Sequence, residues 1–252
     1  MNFWKRMTYL QMKLRRNGKE HKCSCDKRDF VGEEYMRYTI KTGQFEKGTQ
    51  AQQTAFVQLF GAENIQYKFD FYFHWYNIIH EYGHCLCIYY GSSIHDLKQE
   101  FLVNRFAVSI WRYAGYEKEL KSLQKMLGET LQKMKNPVPE DMSFTDYYEQ
   151  LWGTDVIMEV PIYGYLQFKS VLMALEGSDE LTPVLAEMGI HKKIDNCCPF
   201  HKKYSISAQT AIEALNDIRH LLDSLGIEQP IVDIELVDDP SIHCVRYIDT
   251  LD

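Results

Sequence analysis

The residues best equipped for chemistry lie in the stretch Trp75-Tyr76-Asn77-Ile78-Ile79-His80-Glu81-Tyr82-Gly83-His84-Cys85-Leu86. At its centre is H-E-x-x-H in an apolar, helix-compatible setting. Side chains at i and i+4 of a helix are about 40° apart, so His80 and His84 face one point. Two neutral imidazoles placed this way are nitrogen ligands for zinc. The glutamate between them can serve as base to a water on the metal. Two ordinary core or surface histidines would have the same spacing, so the residues C-terminal to the motif decide between these readings.

After His84 the apolar run continues to Tyr90, and Gly91 is a helix stop. Ser92 or Ser93 can cap a second helix, from Asp96 through Glu100 and Asn104 to about Tyr113. So short a connection makes the two helices antiparallel neighbours. His84 stands seven residues before Gly91, and Glu100 stands seven after Ser93. At 1.5 Å rise per residue both are about 10 Å from the turn, which brings Glu100 level with the two histidines. His80, His84 and Glu100 then form a His₂Glu set with an open fourth position, as catalytic zinc sites have. Asn104, one turn beyond Glu100, can accept the spare ring N–H of a ligand histidine and fix its tautomer. A surface polar residue is the competing reading for Asn104, as a solvated carboxylate is for Glu100.

At these residues the chain resembles the ImmA/IrrE-type metallopeptidases, a gluzincin-like group of zincins whose pattern is H-E-x-x-H followed by E-x-x-A-N/D-x-F-A. Here the second part reads Glu100-Phe101-Leu102-Val103-Asn104-Arg105-Phe106-Ala107, with Val103 where the pattern has alanine. The resemblance covers about residues 65–113. It implies His80, His84 and Glu100 as zinc ligands, Glu81 as catalytic base, and a zincin-like fold. Some members of the family cleave transcriptional repressors beside a helix-turn-helix, and no helix-turn-helix is recognisable here.

The expected activity is zinc-dependent hydrolysis of peptide bonds, with a peptide or protein substrate, regulatory proteins included. Glu81 takes a proton from the attacking water and passes it to the leaving amine. A further donor to the oxyanion is expected. Tyr82, His74, His95, His191, His201, Tyr163 and Tyr165 are all candidates. Two other readings stand beside this one: a regulatory or interaction protein with a structural or vestigial zinc site, and a non-peptidase zinc hydrolase. A structural site has no use for Glu81, which favours an enzyme.

Composition sets outer limits. The 252 residues, 45% hydrophobic and 25% charged, describe a soluble globular chain. No apolar stretch approaches the roughly 18 residues needed to cross a bilayer, and Arg6, Lys13, Arg15 and Arg16 interrupt any signal-peptide core. Seven cysteines without framework spacing point to a reducing compartment, so the expected location is cytoplasmic. Residues 1–28 hold nine Lys and Arg against Glu20 and Asp26, a net of +7; with the whole chain at −7, residues 29–252 carry −14. An acidic body argues against nucleic acid as a partner. The expected organisation is a basic arm over 1–28, a docked first helix or a frayed end, and a single domain over 29–252. The arm could also serve a membrane surface or a partner.

The expected fold class is α+β, mainly helical, with an active-site helical hairpin and a small sheet. Ile65, Tyr67, Phe69, Phe71 and Phe73 alternate with polar or amphipathic neighbours, which predicts a strand entering the H-E-x-x-H helix. His74 at that junction reads as structural, not as a fourth ligand. Helices are predicted over 49–60, 117–134, 143–152, 165–176, 182–189 and 207–225, and a short strand over 156–162. A terminal hairpin is predicted from Val232-Ile234-Leu236 and residues 242–248. Cys23, Cys25, Cys197 and Cys198 have poor zinc spacing and read as free thiols, with a second zinc as the alternative.

Overall fold

A computed structural model describes residues 10–16, 19–22, 35–41, 45–47, 50–194 and 203–237. They are mainly helical: α1 (Gln50–Phe60), α2 (Ile65–Asp70), α3 (Asn77–Tyr89), α4 (Asp96–Tyr113), α5 (Glu117–Lys133), α6 (Phe144–Leu151), α7 (Val160–Glu176), α8 (Leu181–Glu187) and α9 (Ala208–Ser224). Four strands, β1 (Leu10–Arg16), β2 (Lys19–Lys22), β3 (Tyr35–Lys41) and β4 (Ile231–Val237), pair in the order β2-β1-β3-β4. β1 is antiparallel to β2 and β3, while β3 and β4 run parallel with Tyr35 opposite Ile231. The arm's described residues are therefore strands and not a helix. β4 lies at the position predicted for the first strand of the terminal hairpin, and residues 242–248 lie outside the described residues.

The hairpin α3–α4 runs through the core. Ile78, Ile79, Tyr82, Cys85 and Leu86 on α3 are buried, as are Val103, Phe106, Ala107, Ile110 and Trp111 on α4. Trp75, just before α3, stacks on Trp111 with ring centroids 4.5 Å apart and planes 15° from parallel. Helices apolar on so many sides must be covered on those sides. Arg105 on α4 forks between Asp179 (2.9 Å) and Glu187 (2.7 Å), fixing the outer face of the hairpin to the segment before α8 and to α8 itself.

The predicted strand at 65–73 is a helix. α2 passes into a π-helical turn over Phe71–Tyr76 and then into α3 without a break. From Phe69 to Tyr76 every side chain is buried, so no wet face exists to set a period. Aromatics at every second position fit a helix buried all round as well as they fit a strand. The predicted strand at 156–162 is likewise helical: a 3₁₀ turn over Val156–Met158, then the start of α7, with Pro161 in the first turn. Proline is tolerated there because the N–H it lacks has no partner in the first turn anyway. The β-branched residues Val156, Ile157, Val160 and Ile162 gave the misleading signal.

Gly91 ends α3 with φ at 63°, as predicted. Neither Ser92 nor Ser93 caps α4, whose N-cap is His95. Ser92 is a loop anchor instead: its Oγ accepts the Ile94 N–H at 3.2 Å and its hydroxyl donates to the Glu187 carbonyl at 3.4 Å.

The close crossing of α3 and α4 depends on Gly83. A Cβ there would lie 3.0 Å from Val103 Cβ and 3.0 Å from Phe106 Cδ1. Gly83→Ala is expected to destabilise, because overpacking costs about 1–3 kcal/mol and alanine's helix propensity returns only about 1. Val103→Gly removes both the Cβ and the Cγ1 contacts and should relieve part of the clash. Denaturant unfolding of the two single variants and the double variant should show favourable coupling of about 1 kcal/mol, and strict additivity would refute the close-approach account.

Candidate metal centre

Helical spacing on α3 and the short turn into α4 bring three side chains together. His80 Nε2 is 3.5 Å from Glu100 Oε2, and His84 Nε2 is 3.4 Å from Glu100 Oε1. One ligand atom from each residue lies within 4.8 Å of the others. Charge-assisted N–H···O bonds are shorter, about 2.7–2.9 Å. Ligands about 2.1 Å from a tetrahedral metal are about 3.4 Å from one another, the edge of the tetrahedron. The donor set therefore fits a metal ion, and the observation is the spacing itself. The site is graded in exposure: the side chains of His80, His84 and Glu100 are 5%, 13% and 19% exposed.

Electrostatics without a cation reflect the same convergence. Burial opposes charge on His84, yet the Glu100 carboxylate, with smaller help from Glu81 and Gln99, holds its pKa up at about 9. Burial alone would raise the Glu100 carboxyl, but His84 and His80 together hold it well below the usual carboxylate range. A bound cation would take over the role the imidazolium plays here.

Glu81 lies outside the ligand group, and its Oε1 accepts from Asn77 Nδ2 at 3.3 Å, an i,i+4 pair on α3. Two phenols stand near the carboxylates. The Tyr72 pKa is pushed up by burial and then by the charges of Glu81 and Glu100; that of Tyr163 by burial and then by Glu100 and Glu81. Tyr163 is one of the donors the sequence offers. Tyr72 is not among them. Tyr82 points away, its hydroxyl donating to Gln229 Oε1 at 2.5 Å. His95 and His191 are exposed, Tyr165 senses burial alone, and His201 lies outside the described residues. His74 is buried with Nδ1 2.7 Å from Asp70 Oδ1, in a structural pair separate from the metal group.

Asn104 stands beside His80, Oδ1 to Nδ1 at 2.8 Å, as its spacing from Glu100 predicted. Sequence reasoning missed Gln99, whose Oε1 lies 2.9 Å from His84 Nδ1. Its position next to Glu100 was the one available signal. Cys85 and Cys87 are buried thiols outside any disulfide. Cys23, Cys25, Cys197 and Cys198 lie outside the described residues, as does the question of a second metal. No helix among the described residues is long and apolar enough to cross a membrane. No protein-family model and no curated protein matches the sequence, and no solved structure matches the fold.

Proposed function

We propose that this chain is a zinc-dependent metallopeptidase of zincin type, acting on a peptide or protein substrate in the cytoplasm. One observation carries the reading: His80 Nε2 and His84 Nε2 each lie at a tetrahedral-edge distance from a Glu100 oxygen, with all three ligand atoms within 4.8 Å of one another and Glu81 outside the group. Zinc is favoured because two imidazoles and one carboxylate match its borderline character and leave a position open. Bound there, zinc would polarise the scissile carbonyl and acidify the attacking water.

The chain's own residues do the rest. Glu81 receives the proton of the water and delivers it to the departing nitrogen. Asn77, donating to Glu81 Oε1, holds the carboxylate in place for both transfers. Tyr163, a neutral phenol beside Glu81 and Glu100, is the best placed of the sequence candidates to donate to the oxyanion. An interaction protein with a vestigial site has no reason to hold Glu81 in this way.

The test is a screen of zinc-loaded protein against peptide libraries and denatured proteins. Cleavage is expected, abolished by a chelator and restored by zinc. Full zinc occupancy with no cleavage of any substrate would favour the interaction-protein reading.

A further inference from the structure

The basic arm, which the proposed activity leaves unused, supplies the outer strands of the sheet. Register sorts the sheet residues into two alternating sets, one per face. In one set Met12, Tyr38 and Ile234 are partners in a row, and Leu14, Met36 and Val232 make the next row. Helix α9 packs against β3 and β4. An apolar sheet face is the one a helix covers, so this set belongs to the covered face.

The other set is cationic across three strands. Lys13 on β1 is opposite Lys22 on β2 and opposite Arg37 on β3. At the turn end of the hairpin Arg16 is opposite Lys19, and only Arg15 meets an acid, Glu20. On β4 the same face turns acidic, with Asp233 opposite Arg37 and Glu235 opposite Thr39. Like charges directly opposite each other cost stability. Lysine on an edge strand guards against unwanted strand addition, which accounts for Lys19 and Lys22 on β2. It does not account for Lys13 and Arg37, because β1 and β3 are paired on both sides. A local rule broken without structural return points to function.

Two features of the sequence indicate the partner. Residues 1–22 hold seven Lys and Arg against Glu20, a net of +6; with the whole chain at −7, the remainder carries −13. Leading directly into β1 is Phe3-Trp4-Lys5-Arg6, followed by Tyr9. Aromatic residues interleaved with cations are typical of segments that settle at a membrane interface. We infer that β1, β2 and β3, with the N-terminal residues that precede them, form a docking surface for an anionic lipid membrane, centred on Lys13, Lys22 and Arg37. A bilayer fits this charge distribution better than a nucleic acid does. It meets one flat face only, and charges more than a Debye length behind that face, about 8 Å, are screened from it. A polyanionic chain running past the sheet would meet the acidic remainder. The cytoplasmic leaflet carries the required negative charge. The inference is independent of the metal centre.

The test is sedimentation of the full chain with vesicles of phosphatidylcholine alone and of phosphatidylcholine with phosphatidylserine. Wild type should bind the second and not the first, and added salt should release it. Lys13→Glu separates function from fold, because it sets an acid opposite both Lys22 and Arg37. Its melting temperature should rise as two repulsive pairs become attractive. Its binding to phosphatidylserine vesicles should weaken by about 30-fold, two charges at about fivefold each. Trp4→Ser should also weaken vesicle binding, with the melting temperature unchanged. A lower melting temperature for Lys13→Glu would make the cation row structural and overturn the inference. Wild-type binding indifferent to phosphatidylserine, or vesicle binding unchanged by Lys13→Glu, would overturn it equally. Duplex DNA, single-stranded RNA and polyglutamate serve as competitors. If any of them binds wild type more tightly than the vesicles at equal charge concentration, the surface belongs to a polyanionic chain and the membrane assignment fails.

Discussion

Glu81→Gln is expected to keep zinc near one equivalent per chain while hydrolysis of any substrate that wild type cleaves falls by about 10²-fold or more. The separation of the two effects follows from position. One residue after His80, Glu81 is rotated about 100° around α3 from that ligand, and it is not part of the converging group. Glutamine keeps the length, the planar end and an oxygen able to accept from Asn77 Nδ2, which bonds Glu81 Oε1 at 3.3 Å. It cannot accept the proton of the attacking water. Zinc stoichiometry and melting temperature should therefore change little, and the loss should appear in kcat. Loss of zinc from this variant would show that Glu81 is a ligand and that the assignment of the two glutamates is reversed.

The centre was legible in the sequence because its geometry is nearly local. His80 and His84 are fixed by helical spacing, and residues 90–95 are too few to let α4 leave the side of α3. Glu100 and Asn104 then follow from rise and turn along α4. Gln99 escaped because its spacing from Glu100 points it about 100° away on the helix. It reaches His84 only because His84 lies toward the loop, which a linear pattern does not encode. Tyr163 is on α7, more than 55 residues beyond Asn104 in the chain, and the sequence offers it only as one of seven candidate donors without singling it out as a neighbour of the centre. The segment 65–76 failed for another reason: from Phe69 to Tyr76 every side chain is buried, which leaves no exposed positions there from which strand and helix periods are told apart. What could be read was therefore the hairpin and its ligands, and what could not was the packing around them.

Glu100→Gln should act on the metal first, and its cost should depend on pH in opposite directions with and without zinc. A neutral amide is a poor substitute for a carboxylate ligand, so zinc binding should weaken by about 100-fold or more. In excess zinc that loss is worth about 2.7 kcal/mol of folding stability, since ligand binding and folding are linked. Zinc affinity itself rises with pH as the histidines lose their protons, so the cost of the substitution in excess zinc should grow toward neutral pH and above. In chelator the same substitution removes instead the ion-pair contacts with His84 and His80. The His84 pKa is raised from 6.5 to about 9, so its share of stability is complete below about pH 6.5 and disappears as pH rises through about 9. Glu100 is lowered from 4.5, so its share is present above about pH 4.5 and disappears only in stronger acid. Without metal the cost of Glu100→Gln should therefore peak between about pH 4.5 and 6.5 and fade toward pH 9. Thermal melts of wild type and variant across that range, in chelator and in excess zinc, measure both trends. If the two series run in parallel, His80, His84 and Glu100 form an ion-pair cluster and not a metal centre.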